Sequence, residues 1–384
     1  LPLIKDNWNM INRRQFSIAA GAAGLAGFPA VHAQSDKIIL GQSAAFTGPA
    51  AQLGIQFHAG AKLYFDQLNA QGGVGGRSVE IRKLDDGYEP ERCAENTKKL
   101  LEDDVYALFG YIGTPTSVAA LPLATKAKVP FVAPFTGAMA LRAPLNRYAF
   151  HVRASYNDET ALIVKQLHHV GLTKVAVFYQ NDAYGKAGLD GVTLALAALN
   201  LKPVAVATVE RNSVDVAKAV ETINAAAPEA VVQISAYKSC AAYVRAARKA
   251  GYGGGLYNVS FVGTQALADE LGREGAGVVV SQVVPSPYTG SKLISREFTE
   301  AVRKANGAVQ ANFSSMEGYI AARVLAEGMR RSGAKGGSEG LISAMESING
   351  QPFGGFNVNF SRNEHVASNF VELSMLTGDG RVRT

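Results

Sequence analysis

Between Val105 and Gly137 the sequence VYALFGYIGTPTSVAALPLATKAKVPFVAPFTG carries one device twice, an apolar run followed by small polar residues. Val105 to Phe109 and Phe131 to Val132 are short, apolar throughout and bounded by Gly or Pro, a pattern suited to strands covered on both faces of a parallel sheet. After the first run come Gly113, Thr114, Pro115, Thr116 and Ser117, then an apolar helical segment from Val118 to Lys128; after the second come Phe135, Thr136, Gly137 and Ala138. A strand that runs straight into a helix N-terminus presents unpaired backbone N–H groups and the positive end of the helix dipole, which attract an anion. In open α/β sheets, ligands bind along that carboxyl edge. Thr and Ser are also ordinary N-caps, so one such loop says little, but two flanking a single helix mark a ligand edge.

The same alternation of strand and helix extends on both sides. Lys37 to Gln42 and Val79 to Leu84 read as strands, with a helix from about Ala51 to Asn69 between them and another beginning near Pro90, a favoured first helical residue. After the extended run Tyr148 to Arg153 the rhythm restarts: a capping-box spacing at Ser155 to Asp158 opens a helix to Gly171. Strands are then expected at Val175 to Tyr179, Val204 to Val209, Ala230 to Ile234, Val259 to Val262 and Val278 to Val284. Beyond Pro285 the pattern is mostly helical, and helices without strands of their own must pack on an existing sheet. The tail, Phe356 to Phe360 and Asn369 to Leu376, alternates like an antiparallel pair. At 384 residues two domains are expected. The fold class is α/β: two doubly wound parallel-sheet lobes joined by three crossovers, near 153, 285 and 353. The first lobe is expected to comprise 34–153 and 285–352, and the second 154–284 and 353–384.

From Met10 the chain reads MINRRQFSIAAGAAGLAGFPAVHA: a basic start, an apolar run from Ile18 to Ala30, and small residues around a cleavage point before Gln34. These are the parts of an export signal, and the run is too short to span a bilayer. Arg13 and Arg14 resemble a twin-arginine signal, although Ser17 and Ile18 depart from its usual continuation and leave general secretion open. Residues 1–9 read as an upstream extension. A soluble, exported, periplasmic chain is expected, monomeric and with no membrane insertion after processing. Cys93 and Cys240 are the only cysteines and are expected to be free and buried.

Composition excludes some functions and motifs exclude others. The formal charge is +6, yet Lys and Arg are scattered; without a basic stripe interleaved with aromatics no nucleic-acid partner is expected. Gly73-Val74-Gly75-Gly76-Arg77-Ser78 precedes a strand and ends in Ser, so it fails the dinucleotide pattern. Tyr184-Gly185-Lys186-Ala187 lacks the Gly and Ser or Thr of a phosphate loop. His168-His169 lies late in a helix, and Asp85-Asp86 are adjacent residues of an extended chain whose side chains point to opposite faces. No cofactor, metal or enzymatic activity is expected.

GQSAAFTGPAAQLG, YFDQLNAQGGVGGR, DDGYEP, ALFGYIGTPT, VPFVAPFTGA, VRASYNDET, VFYQNDAYGKAG and SMEGY, in this order, resemble the extracytoplasmic solute-binding proteins of branched-chain amino-acid-type ABC importers. The resemblance implies a type I periplasmic-binding-protein fold, a cleft that closes on a small amino-acid-like or carboxylate ligand, and delivery to an inner-membrane ABC permease. A sensor of the same fold docking on a signalling receptor is the alternative. Ligand contacts implied in the first lobe are Leu53, Gly113, Thr114, Phe135, Thr136 and Gly137; in the second they are Tyr184, Tyr237, and a strand end at Ser260 and Phe261. Relatives that bind amino acids hold the ammonium with an acid where this chain has Ser260, so a carboxylate without an ammonium is expected to bind at least as well.

Overall fold

The computed structural model describes Pro2, residues 37–333 and residues 336–384. The export segment, its cleavage point, Arg13 and Arg14 lie outside the described residues. The first sheet contains five parallel strands, β1 (Ile38–Ala44), β2 (Val79–Asp85), β3 (Ala107–Phe109), β4 (Phe131–Val132) and β5 (Ala149–Phe150), in the order β2-β1-β3-β4-β5. The second contains β6 (Val175–Gln180), β7 (Ala205–Val209), β8 (Ala230–Ile234), β9 (Gly255–Asn258) and β10 (Val279–Gln282), extended at one edge by β13 (Glu372–Leu376) and β14 (Val382–Arg383); its order is β14-β13-β10-β9-β8-β6-β7. Its first five strands are parallel, and the last two join antiparallel. Burial follows sheet position. Central β8 (AVVQI) is buried at every residue, whereas edge strand β7 (AVATV) alternates, as expected when one face of an edge strand meets solvent.

Helices cover both sheets. In the first half these are α1 (Ala51–Ala70), α2 (Pro90–Glu102) and α3 (Thr114–Ala127), and in the second α4 (Tyr156–His169), α5 (Ala183–Ala197), α6 (Ala217–Ala225), α7 (Tyr237–Lys249) and α8 (Thr264–Leu271). Then come α9 (Leu293–Lys304), α10 (Phe313–Ser332) and α11 (Gly337–Glu346). Helix α10 lies along α1 with almost no side chain between the backbones: a Cβ on Gly60 would sit 1.8 Å from the Ser315 carbonyl oxygen. The late helices thus complete the first half of the molecule. Both cysteines are free and buried, and burial pushes both thiols up.

Two expectations fail locally. Phe356 to Phe360 does not pair with Asn369 to Leu376; β12 (Phe356–Val358) folds back on β11 (Gln351–Phe353) through Gly354 and Gly355, both at positive φ. That is a two-residue Gly-Gly hairpin turn. The hairpin bonds to Ile294 and its exit to Ile348, so the chain reaches the second sheet only at β13, later than the expected crossing near 353. The strand expected over Val259 to Val262 ends at Asn258, and Ser260–Val262 forms one 3-10 turn. The Ser260 N–H is turned toward the Glu159 carboxylate, 2.7 Å away, and Gly263 leaves the turn with φ 78°.

Candidate functional site

Each sheet has a switch point where strand order reverses: between β1 and β3 in the first, and between β6 and β8 in the second. At such points the loops leaving the strands separate and open a crevice. Leu53 and Gly113–Thr114 follow β1 and β3; Tyr184 and Tyr237 follow β6 and β8. The two carboxyl edges face each other. Leu53 reaches the second half, where a Cβ on Gly263 would lie 2.4 Å from its Cδ2. Phe135 meets Phe261 with ring centroids 5.7 Å apart, and Tyr88 meets Phe261 at 5.8 Å. The Gln180 amide donates to the Tyr88 hydroxyl at 3.3 Å. At the rim, Arg211 and Asn212 donate to Glu89 at 2.7 and 2.8 Å.

Backbone strain is stored here. Tyr88 adopts φ 65°, uncommon for a bulky residue, while its N–H donates to Asp86 at 2.8 Å and its ring occupies the space beside Gly113. Gly113 has φ 93° and a Cβ there would lie 2.2 Å from the Tyr88 ring, so both the turn and the close approach require glycine. The adjacent acids have separate structural tasks. Asp86 accepts from Ser43 at 2.7 Å, and burial pushes it up to about 6 despite its bonds. Asp85 accepts from Thr47 and from backbone N–H groups; although burial pushes upward, these donors bring it down to about 2.

A buried charge cluster occupies the centre, built on Arg153 and Glu159, which the sequence analysis missed. Arg153 is 1% exposed and Glu159 0%. Arg153 Nη2 donates to Glu159 Oε1 at 3.1 Å and also to the Ser260 hydroxyl, while its Nη1 lies 3.6 Å from Glu317. Both Glu159 oxygens are fully engaged, Oε1 by Arg153 and the Ser260 hydroxyl (3.0 Å), Oε2 by the Ser260 N–H (2.7 Å) and the Ser281 hydroxyl (2.6 Å). Burial pulls the Arg153 guanidinium down, but Glu317 and Glu159 outweigh it and hold it above its ordinary value. Burial pushes Glu317 up to about 7, opposed by Arg153 and reinforced by Glu159. Arg142, buried as well, donates to the carbonyls of Thr136, Ala138, Arg153 and Ala154 and so ties the loop after β4 to the first crossover.

The sequence-derived contacts therefore converge, with additions. Thr114 and Thr136 share a hydrogen bond of 2.6 Å. Tyr184 packs on Phe261 (4.5 Å) and on Tyr156 (5.4 Å), and Gly137 abuts Tyr156. Tyr237 is buried on the second half and faces the backbone of Gln52. Ser260 sits beside an acid after all, Glu159, supplied by another helix. Arg142, Arg153, Glu159 and Tyr88 were not singled out, although VRASYNDET and DDGYEP contain three of them. Among the described residues no acid, Cys and His cluster has metal-site geometry, and no helix is long and apolar enough to cross a membrane.

Two facing doubly wound lobes with a buried polar site at their carboxyl edges define a bilobal solute-binding class. A family profile described as "Periplasmic binding protein" matches residues 37–380, and the chain belongs to this family. Among curated relatives it is similar to Leu/Ile/Val-binding protein homolog 7 of Brucella suis, 26% identical over 341 residues covering 82% of this chain and 81% of that one. Among solved structures it is similar to a possible leucine/isoleucine/valine-binding protein from Rhodopirellula baltica, with TM-score 0.87 and 32% identity over 91% of this chain and 96% of that one. It is also similar to a substrate-binding periplasmic protein from Ralstonia solanacearum, with TM-score 0.85 and 30% identity over 90% and 99% of the respective chains.

Proposed function

We propose that this chain is an exported, periplasmic solute-binding protein that closes its two lobes on a small carboxylate or amino-acid-like solute and presents it to an inner-membrane ABC permease. The observation that carries this reading is a pair of polar groups between the lobes, Arg153 Nε and the Tyr184 hydroxyl, both buried without a hydrogen-bond partner, beside Arg153 Nη1, which has only its ion pair with Glu317 at 3.6 Å. Buried polar atoms are nearly always bonded in native proteins, and a bound solute would satisfy them. Beyond the crossing segments the lobes meet along their facing edges, where α3 packs on α5 and α8 on α10, and a hinge in the crossing segments would part those edges while each sheet keeps its own helices. Small-angle scattering tests the reading. The radius of gyration is expected to fall when a solute that raises the melting temperature is added; an unchanged radius with that solute bound would reject a closing cleft.

A further inference from the structure

Resting on the reading of the inter-lobe region as a ligand site, we propose that Arg153 sets its specificity, so that the site selects a flat, aromatic carboxylate carrying no ammonium. The first ground is the balance of unspent hydrogen bonds. Arg153 Nε and the Tyr184 hydroxyl are buried without hydrogen-bond partners, and Arg153 Nη1 makes no hydrogen bond beyond its ion-pair contact with Glu317 at 3.6 Å. An ionised carboxylate offers about four acceptor positions, and Glu159 already receives four donors, so it has none left for an ammonium. That leaves Glu317, whose burial favours the neutral form. The charged groups facing it are Arg153, Glu159 and Arg142. The centre is thus richer in free donors than in free anions, and the complementary solute is acceptor-rich.

The second ground is shape. The guanidinium of Arg153 lies over the Phe135 ring, 4.9 Å from its centroid, and 5.9 Å from that of Tyr156. Phe261 stands between Phe135 and Tyr184. These rings now touch one another as tilted pairs across the seam between the lobes, so a solute that enters as the lobes part meets aromatic faces from both, and such faces pair with a ring better than with a branched aliphatic chain. With the ring so held, its carboxylate would meet Arg153 in a charge-assisted bond.

Calorimetry on the intact processed protein tests this with matched pairs: 3-phenylpropionate against phenylalanine, and 4-methylpentanoate against leucine, each pair differing only by the ammonium. Each acid is expected to bind at least about tenfold more tightly than its amino-acid partner, with 3-phenylpropionate the tightest of the four. Because a bound anion keeps Glu317 protonated, its dissociation constant should rise by up to about tenfold per pH unit above about 7, with uptake of one proton per ligand. Glu317→Gln should abolish both the slope and the uptake while retaining binding. Tyr184→Phe, a change that keeps the ring, should weaken the acids several-fold. Phenylalanine or leucine binding as tightly as the matching acid, or more tightly from pH 6 to 8, would overturn the assignment and leave the solute-binding reading intact. If none of the four bound and a wide solute panel also gave no response, both would fall.

Discussion

Glu159 is 0% exposed and accepts four hydrogen bonds, so its removal would leave a buried guanidinium and two serines short of an acceptor. Breaking a buried ion pair from one side costs about 3–5 kcal/mol. Glu159→Ala is therefore expected to lower stability by that order, measured by urea denaturation without ligand. Replacing Glu159 by Gln should cost less, because one acceptor oxygen remains for the serines. The sequence contained Glu159, but its task was not legible. Asp158, one residue earlier, fitted the capping box and does cap the helix, which left Glu159 looking like a second first-turn acid. Its partners Ser260 and Ser281 are 101 and 122 residues away, and no periodicity links them. Thr114, Phe135 and Thr136 were legible because a strand end and a helix start announce themselves within a few residues.

At the level of elements, the contact between α1 and α10 is the least tolerant of added volume. Gly60→Ala would place a methyl group 1.8 Å from the Ser315 carbonyl oxygen, so the helices must move apart. Overpacking of this kind costs about 1–3 kcal/mol, and a lowered denaturation midpoint in urea without ligand is expected. Interior strands such as β6 and β8 were plain from their unbroken apolar runs. The β11–β12 hairpin was not, although Gly354-Gly355 between apolar residues is a hairpin signal; the alternation on its two sides was assigned to a more distant partner. The end of β9 misled for a different reason. Val259 to Val262 has strand composition, but the Ser260 N–H is drawn to the Glu159 carboxylate, a tertiary partner, and Gly263 closes the turn at positive φ.

For the whole molecule, Arg211 and Asn212 clasp Glu89 at the rim where the two halves meet, and Arg211 also lies 3.6 Å from Asp182. Hydrogen bonds to charged groups contribute about 1.5–3 kcal/mol, and this clasp exists only while the halves are together. Arg211→Ala is expected to weaken solute binding by about tenfold, mainly through faster release in stopped-flow measurements. If release were unchanged, the clasp would have no part in holding the halves shut. The two βα series were readable from the sequence, whereas the course of the final return was not, because a segment that crosses between lobes carries no periodicity of its own. That return affects synthesis as well. The Tyr319 hydroxyl donates to Gln67 across 252 residues of sequence, and Ser374 donates to Val280 across 94. Helix α1 packs early on Phe109 and Phe135 through Phe57 and Phe65, but its α10-facing side stays uncovered until α10 emerges, and β10 remains an unpaired edge until β13 is made. A nascent chain seals neither core before its last stretch is translated, so long-range contacts govern the rate at which this protein folds, and a prematurely terminated copy would expose both an apolar helix face and an open sheet edge.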